Sequence, residues 1–483
     1  MSAGEGILVS RRRTCRQALL GILLVVMDTT QTPETGITPN AAAVARAGRQ
    51  ARQARARKRI AVVTMGVKLG DEKRGYTRFR FLSEMLVEAG FDVDLITSSF
   101  QHWEKAHRDT GRACYRDLPY RVVFIDEPGY RKNLDLARIM SHRTAAKNLR
   151  AHFRENVGRY SLVYAEIPPN DVARVCAEEA HAQGIPFVAD INDLWPEAMR
   201  MVIDVPVLSD IAFYPFSRDA HAVYQLLSAA VGTSDEYALR PAKDRSKPYP
   251  HATVYVGNDL ASFDEGARKM ASAVDKPEGE LWVTYAGTLG ASYDIATLVD
   301  AAAELERRRE AREKIRYLAC GPAGAGQAGR VFPPVRVKVL GDGPDRASLE
   351  KRASEKGAPV DFLGYQDYAS MAAYLCASDV TVNSLVKTAA QSIVTKIGDY
   401  LASGKPLVNT GSSPEFRAKV VSGGFGLNVP AEDTGALADA LEELVLNPSL
   451  RKIMGTRGRA IAEREFDQRH SYRTIVNLIR NLL

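Results

Sequence analysis

Past Arg59 the chain alternates short, wholly apolar runs with segments whose apolar residues recur at helical spacing. That is the pattern of parallel α/β architecture, where both faces of each strand are covered. Residues 60–65 (IAVVTM) predict a buried first strand. After a glycine-punctuated loop, Phe79, Leu82, Met85, Leu86 and Ala89 share one helical face. Gly90 then ends that helix, and Phe91, Val93 and Leu95 alternate as the next strand. Further strands are predicted at 121–125, 162–165, 186–191, 229–231 and 253–256. A second series follows the polar stretch 258–280, with strands at 281–286, 335–340, 360–363, 380–383, 406–409 and 426–429 and amphipathic helices between them. The pattern therefore predicts two successive α/β sheets of roughly two hundred residues each.

Composition adds little to this and excludes much. The 483 residues are 45% hydrophobic and 25% charged, ordinary for a globular protein and unlike a disordered, collagenous or disulfide-scaffolded chain. Charge is more informative. Residues 1–59 hold 11 basic and three acidic side chains, which leaves 54 basic and 55 acidic in the rest of a chain of net charge +7. The basic character thus belongs to a leader, residues 1–58, and not to the body. The leader's apolar run, 18–27 (ALLGILLVVM), follows Arg11, Arg12, Arg13 and Arg16 and is half the roughly 20 residues a membrane-crossing helix needs. It reads as a start that is not native, as a membrane-surface contact, or as a secretory signal lacking a small-residue cleavage pattern. The Ala/Arg/Thr/Pro-rich text after it reads as a disordered linker. Five scattered cysteines without a Cys-x-x-Cys pair favour reduced thiols over disulfides or a zinc site.

Four motifs carry chemistry. Gly324-x-Gly326-x-x-Gly329 has the letters of a dinucleotide fingerprint, but Pro333 and Pro334 follow where a helix should run, so a flexible insertion is the better reading. Tyr285-Ala-Gly287-Thr288-Leu289-Gly290 ends a strand before a helical pattern, where backbone amides and a helix N-terminus suit an anion. A tight turn without ligand explains it equally well. Lys396 and Asp399, three apart at the start of a helix ended by Gly404, can present a cation to a diphosphate and a carboxylate to ribose hydroxyls. An ordinary solvated pair is the alternative. Asp190 and Asp193 lie at the C-terminal edge of a predicted strand, where ligands of open α/β sheets collect. Helix capping by Asp193 competes with that reading.

Taken in order, these residues resemble retaining glycosyltransferases of the GT-B fold, family four. The resemblance runs from about Arg59 to the C-terminus. It is carried by the first glycine loop, Asp190 to Glu197, Val256-Gly-Asn-Asp259, Tyr285 to Gly290, Gly341-Asp-Gly-Pro344, Phe362-Leu-Gly364, Ala377-Ser-Asp-Val380 and Lys396 to Pro406. The Asp190-x-x-Asp193-Leu-Trp-Pro-Glu and Thr395-Lys-x-x-Asp399-Tyr-Leu-Ala-x-Gly-Lys-Pro versions are most similar to the branch that builds bacterial surface and capsular polysaccharides.

The resemblance implies two Rossmann-like domains facing a cleft, an acceptor-binding domain over 59–265 and a nucleotide-sugar-binding domain over 266–465. A final helix, within 466–483, would pack back on the first domain. It implies Gly287, Thr288, Leu289, Gly290 and Gly341 around the pyrophosphate with Lys396 beside it, Asp399 on ribose, and backbone at Phe362 and Gly364 near the base. Asp190 or Asp193 would serve the acceptor or the developing positive charge. No metal and no cofactor are expected, the nucleotide sugar being a co-substrate. The expected partners are that donor, a glycan or polyprenyl-linked acceptor and an anionic membrane surface, at the cytoplasmic face of the plasma membrane, with no nucleic acid. Two departures stand out. Gln391 occupies the place of the family's first paired acid, and Ser292-Tyr293-Asp294 stands where an Arg and a Lys are usual. They keep open a nucleotide-sugar epimerase of the same fold and an inactive nucleotide-sugar-binding relative.

Overall fold

The computed structural model describes residues 57–70, 72, 76–132, 135–200, 208–320, 332–389 and 393–483. The leader up to residue 56, Gln391 and the glycine motif at 324–329 lie outside the described residues. Among the described residues the first sheet has seven parallel strands: β1 (Arg59–Val63), β2 (Asp92–Ser98), β3 (Arg121–Ile125), β4 (Leu162–Ile167), β5 (Phe187–Ile191), β6 (Ala229–Gly232) and β7 (His251–Thr253). Their spatial order is β3-β2-β1-β4-β5-β6-β7. The second sheet has six, also parallel: β8 (Leu281–Ala286), β9 (Val335–Leu340), β10 (Val360–Gly364), β11 (Val380–Asn383), β12 (Leu407–Asn409) and β13 (Gly426–Asn428). Their order is β10-β9-β8-β11-β12-β13. Each sheet is two Rossmann-like halves meeting where the strand order reverses, at β1/β4 and β8/β11, and such a reversal opens a crevice beyond the carboxyl ends of the strands.

The helices that position the site are α1 (Arg78–Glu88), α2 (Leu136–Glu155), α3 (Asn170–Ala182), α4 (Leu208–Leu226), α5 (Leu260–Met270), α6 (Ile295–Cys320), α7 (Ile397–Ala402) and α8 (Arg473–Leu482). Aspartates cap the starts of α2, α5 and α6. Asp135 accepts from the Ala137 amide at 3.0 Å before α2, and Asp294 from the Thr297 amide at 3.1 Å before α6. Both faces of β1 are buried: Ala61 and Val63 pack with α2 and α3 residues such as Leu149 and Val172, and Ile60 and Val62 pack with Phe79, Leu82 and Ile475. That double burial is why the strand reads as an unbroken apolar run.

The seventh strand differs from expectation. It runs at His251–Thr253 and not over 253–256, because the carbonyls of Val254 and Tyr255 accept hydrogen bonds from the Arg78 guanidinium, 3.1 Å each. Beyond it the chain crosses to the second sheet and later returns. The Asn258 amide donates to Phe466 O at 2.9 Å, and the Gln468 amide to Asn258 O at 3.0 Å. From there α8 lays Ile475, Val476 and Ile479 into the core of the first sheet. Tyr472, just before that helix, donates its hydroxyl to Val256 O at 2.6 Å.

Candidate active site

Three parallel strands of the second sheet end side by side in glycine, and their loops touch. The Gly287 amide donates to Leu340 O and the Gly341 amide to Gly364 O, both at 2.7 Å, while the Leu289 amide donates to Asp342 O at 3.0 Å. A Cβ on Gly341 would stand 1.8 Å from Gly287 O, and one on Gly343 would stand 2.0 Å from Leu289 O. Glycine is required there by backbone contact alone. Among the described residues no protein acceptor takes the amides of Thr288 and Gly290.

Lys396 completes this edge. Tyr400 of α7 holds the helix against β8, its hydroxyl accepting from the Ala286 amide and donating to Ala286 O, 3.0 Å each. That brings Lys396, the residue before α7, over Gly287. Its ammonium donates to the Tyr285 hydroxyl at 2.9 Å and lies 3.7 Å from the centre of the Tyr293 ring. Among the described residues no carboxylate reaches it within ion-pair distance. Burial without a counter-charge lowers its pKa to about 7. Tyr293 thus covers the lysine from the place of the usual basic pair, and Asp294 is spent on capping α6.

Asp399 is engaged elsewhere. Its Oδ1 accepts from Asn258 Nδ2 at 2.8 Å and from the Tyr368 hydroxyl at 2.9 Å, which ties α7 to the interdomain linker. Burial raises its carboxyl to about 6. Phe362 O accepts from Arg346 at 3.3 Å beside Gly364.

Between the two sheets lies a cavity of about 520 Å³, in the size range of small-molecule sites. The second domain contributes Ser292, Tyr293 and Ile393–Thr395, and the first contributes the carboxyl ends of its strands. Asp193 lines it. Its Oδ1 accepts from the Leu194 amide at 2.9 Å and its Oδ2 from the Trp195 indole at 3.2 Å, while burial raises its pKa. Asp190 does not open to it. Its carboxylate is fully buried in a two-pronged pair with Arg78, at 2.8 and 3.0 Å, and accepts the Tyr164 hydroxyl at 2.6 Å. Arg78 also reaches the Tyr472 hydroxyl at 3.3 Å. Asp190 and Asp193 thus share an edge but not an environment.

Sequence reasoning missed several cavity residues. Glu166 ends β4 as Asp190 ends β5, and the same strand-edge rule finds it. Its Oε2 accepts from Thr64 Oγ1 at 2.5 Å, and burial pushes its pKa up to about 8, helped by the charge of Asp190. Aromatic and basic side chains from loops and α2 form the far lobe: Trp103, His102, Tyr130, Arg138 and His142. Arg138 lies 4.9 Å over the Trp195 ring and 5.5 Å over Tyr130. His142 stacks on Trp195 at 6.4 Å, and burial together with Arg138 lowers it to about 3. Nothing in the local spacing of these residues marks them, because tertiary contact alone assembles the lobe.

Residues 281–447 match the family model described as Glycosyl transferases group 1. The chain is 32% identical over 140 residues to the lipopolysaccharide core biosynthesis glycosyltransferase LpsE of Rhizobium meliloti, covering 28% of this chain and 39% of that one. It is 33% identical over 136 residues to the phosphatidyl-myo-inositol mannosyltransferase of Mycobacterium leprae, covering 28% and 35%. The matches span less than half the length of these curated relatives. Among solved structures, Anabaena HepE in complex with UDP superposes at a TM-score of 0.61 and 15% identity, covering 88% of this chain and 100% of that one. Sucrose-phosphate synthase from Thermosynechococcus elongatus gives 0.59 and 17%, covering 88% and 98%. The fold is therefore GT-B, and its second domain is a glycosyltransferase group 1 domain.

Proposed function

We propose that the protein is a retaining glycosyltransferase that moves a sugar from a nucleoside diphosphate sugar to a glycan or lipid-linked acceptor in surface polysaccharide synthesis, at the cytoplasmic face of the membrane. The observation that carries this reading is Lys396, a half-buried ammonium with no carboxylate within ion-pair distance among the described residues, set over a glycine edge. The diphosphate supplies the missing charge, and the amides of Thr288 and Gly290 supply neutral donors beside it. As the donor C–O bond breaks, negative charge grows on the leaving diphosphate, where a preorganised cation in a dry site stabilises it most. With Oδ1 of Asp399 held by Asn258 and Tyr368, its other oxygen is the one assigned to ribose.

In the first domain, Asp193 faces the cavity and is the carboxylate that orients the acceptor hydroxyl or stabilises the oxocarbenium-like charge. Glu166, protonated near neutral pH, donates a hydrogen bond to a substrate hydroxyl. Asp190 positions this edge through Arg78. The aromatic lobe offers flat faces for a sugar ring. The glycosyltransferase relatives and the UDP complex of HepE support this assignment. A thermal-shift screen over UDP-, GDP-, ADP- and TDP-sugars tests it, since a ligand at 100 times its dissociation constant adds about 2.7 kcal/mol to stability. No stabilisation by any of them contradicts the reading. Product analysis with donor alone and with pooled acceptors then separates transfer from epimerisation.

A further inference from the structure

The carboxylate of Asp399 is held from the place where the chain passes between the domains. The outgoing and returning passages meet at Asn258, whose backbone exchanges hydrogen bonds with Phe466 and Gln468. The Gln468 side chain adds a third, Nε2 donating to Val256 O at 3.1 Å. A Cβ on Gly257, where φ is +63°, would stand 2.1 Å from Phe466 O, so the two backbones touch. Asn258 is therefore fixed along the chain before its side chain does anything, and it is only 7% exposed.

That side chain is aimed at α7. Its Nδ2 donates to Asp399 Oδ1 at 2.8 Å, and a Cβ on the preceding Gly398 would stand 3.5 Å from its Cγ. The amide oxygen of Asn258 is buried and has no donor among the described residues. A buried acceptor left unpaired costs stability, so packing alone does not account for an asparagine here.

The second donor to Asp399 is placed by the same stretch of chain. Helix α5 begins two residues after Asn258 and sets Phe263 edge-on to the Tyr368 ring at 6.2 Å. It lies so close to the helix Tyr368–Ala377 that a Cβ on Gly266 would stand 2.9 Å from the Cα of Ala369. The Tyr368 hydroxyl then reaches Asp399 Oδ1 at 2.9 Å. Both donors end on Oδ1, and among the described residues none is directed at Oδ2. Both also favour the ionised carboxylate, against the burial that raises it to about 6.

We propose that Asn258 is a positioning residue for the donor, locking Asp399 by one oxygen so that the other is presented, already oriented, to the two vicinal hydroxyls of a ribose. The linker is thereby part of the donor site, because the residue that orients the ribose acceptor is the one at which the two interdomain passages meet. This rests on the donor site proposed above.

Calorimetric titration of the full chain with UDP, GDP and ADP, and with the 2′,3′-dideoxy form of each, separates ribose recognition from diphosphate recognition. The wild type should bind its best ribonucleotide at least about tenfold more tightly than the dideoxy form, the strength of one hydrogen bond to a charged group. Asn258→Ala should lose most of that preference, with a weakened ribonucleotide and an unchanged dideoxy nucleotide. A purely structural role would weaken both alike. Tyr368→Phe removes only a hydroxyl from a ring that is 41% exposed, should act in the same direction, and carries the expectation if Asn258→Ala fails to fold. Equal losses for the two nucleotide forms, or a full ribose preference surviving in the folded variants, overturns the proposal and leaves the donor site standing. No ribose preference in the wild type takes Asp399 off the ribose and overturns the proposal with it. Binding of none of these nucleotides by the wild type overturns the donor site itself.

Discussion

A Cβ built on Gly287 would stand 1.7 Å from the Nζ of Lys396. The ammonium thus occupies the space that any other residue at 287 would claim, and glycine and lysine form one packed unit although 109 positions separate them. Gly287 has φ +157°, which residues with a Cβ rarely adopt, so Gly287→Ala strains the loop and pushes the cation from its post, and the melting temperature should fall along with donor affinity. Donor affinity should fall at least about tenfold, since hydrogen bonds to charged groups are worth roughly 1.5–3 kcal/mol. Calorimetric titration of the variant, together with its melting temperature, checks both halves.

Donor binding should depend on pH through Lys396. Burial lowers its free-state pKa to about 7, and a bound diphosphate favours the charged form. The affinity is then greatest below pH 7 and falls as pH rises through it, with a proton taken up on binding above that point. Titration across this range in buffers of different ionisation enthalpy measures the uptake. A flat affinity profile without proton exchange would show that the ammonium is not the recognising group.

The two aspartates of the first domain should separate under mutation. Asp190→Ala leaves the Arg78 guanidinium charged and buried, and breaking such a pair costs about 3–5 kcal/mol. A large drop in melting temperature should follow. Asp193→Asn keeps the fold, because its partners are one amide and one indole, and should lower turnover more than stability. Thermal melts and turnover measured on both variants decide the matter.

Glu166 gives a stability signature with a definite sign. Its folded pKa, about 8, lies above the ordinary carboxylate value, so the folded state holds a proton the unfolded state releases. Its contribution is fully present below the unfolded pKa and is lost as pH rises through that value toward 8. Glu166→Gln cannot ionise, and its melting temperature relative to wild type should improve steadily from about pH 5 to pH 8. A constant difference would mean the carboxyl is ionised throughout.

The sheets were legible because their central strands are buried on both faces, and 121–125, 281–286, 335–340 and 380–383 coincide with the observed strands residue for residue. The seventh strand was not, since its end is set by Arg78, some 175 positions away. The glycine edge and the helix start beside it were equally legible. Gly287 and Lys396 each sit at a junction whose local letters report a tight turn and a helix start. Asp190 was visible as an acid on a strand edge, but whether such an acid meets a cavity or an arginine is a tertiary fact. Trp103, Tyr130, Arg138 and His142 had no local signature at all, and chain folding alone brings them to one lobe.

The central claim is that Lys396 and the Gly287 to Gly290 loop hold a nucleoside diphosphate. Calorimetric titration of wild type and Lys396→Ala with the nucleotide sugar that most stabilises the wild type tests it most directly. The account predicts at least about a tenfold loss of affinity, and about 150-fold if the full strength of a charged hydrogen bond is lost, with transfer abolished. Equal affinities for the two proteins would contradict it.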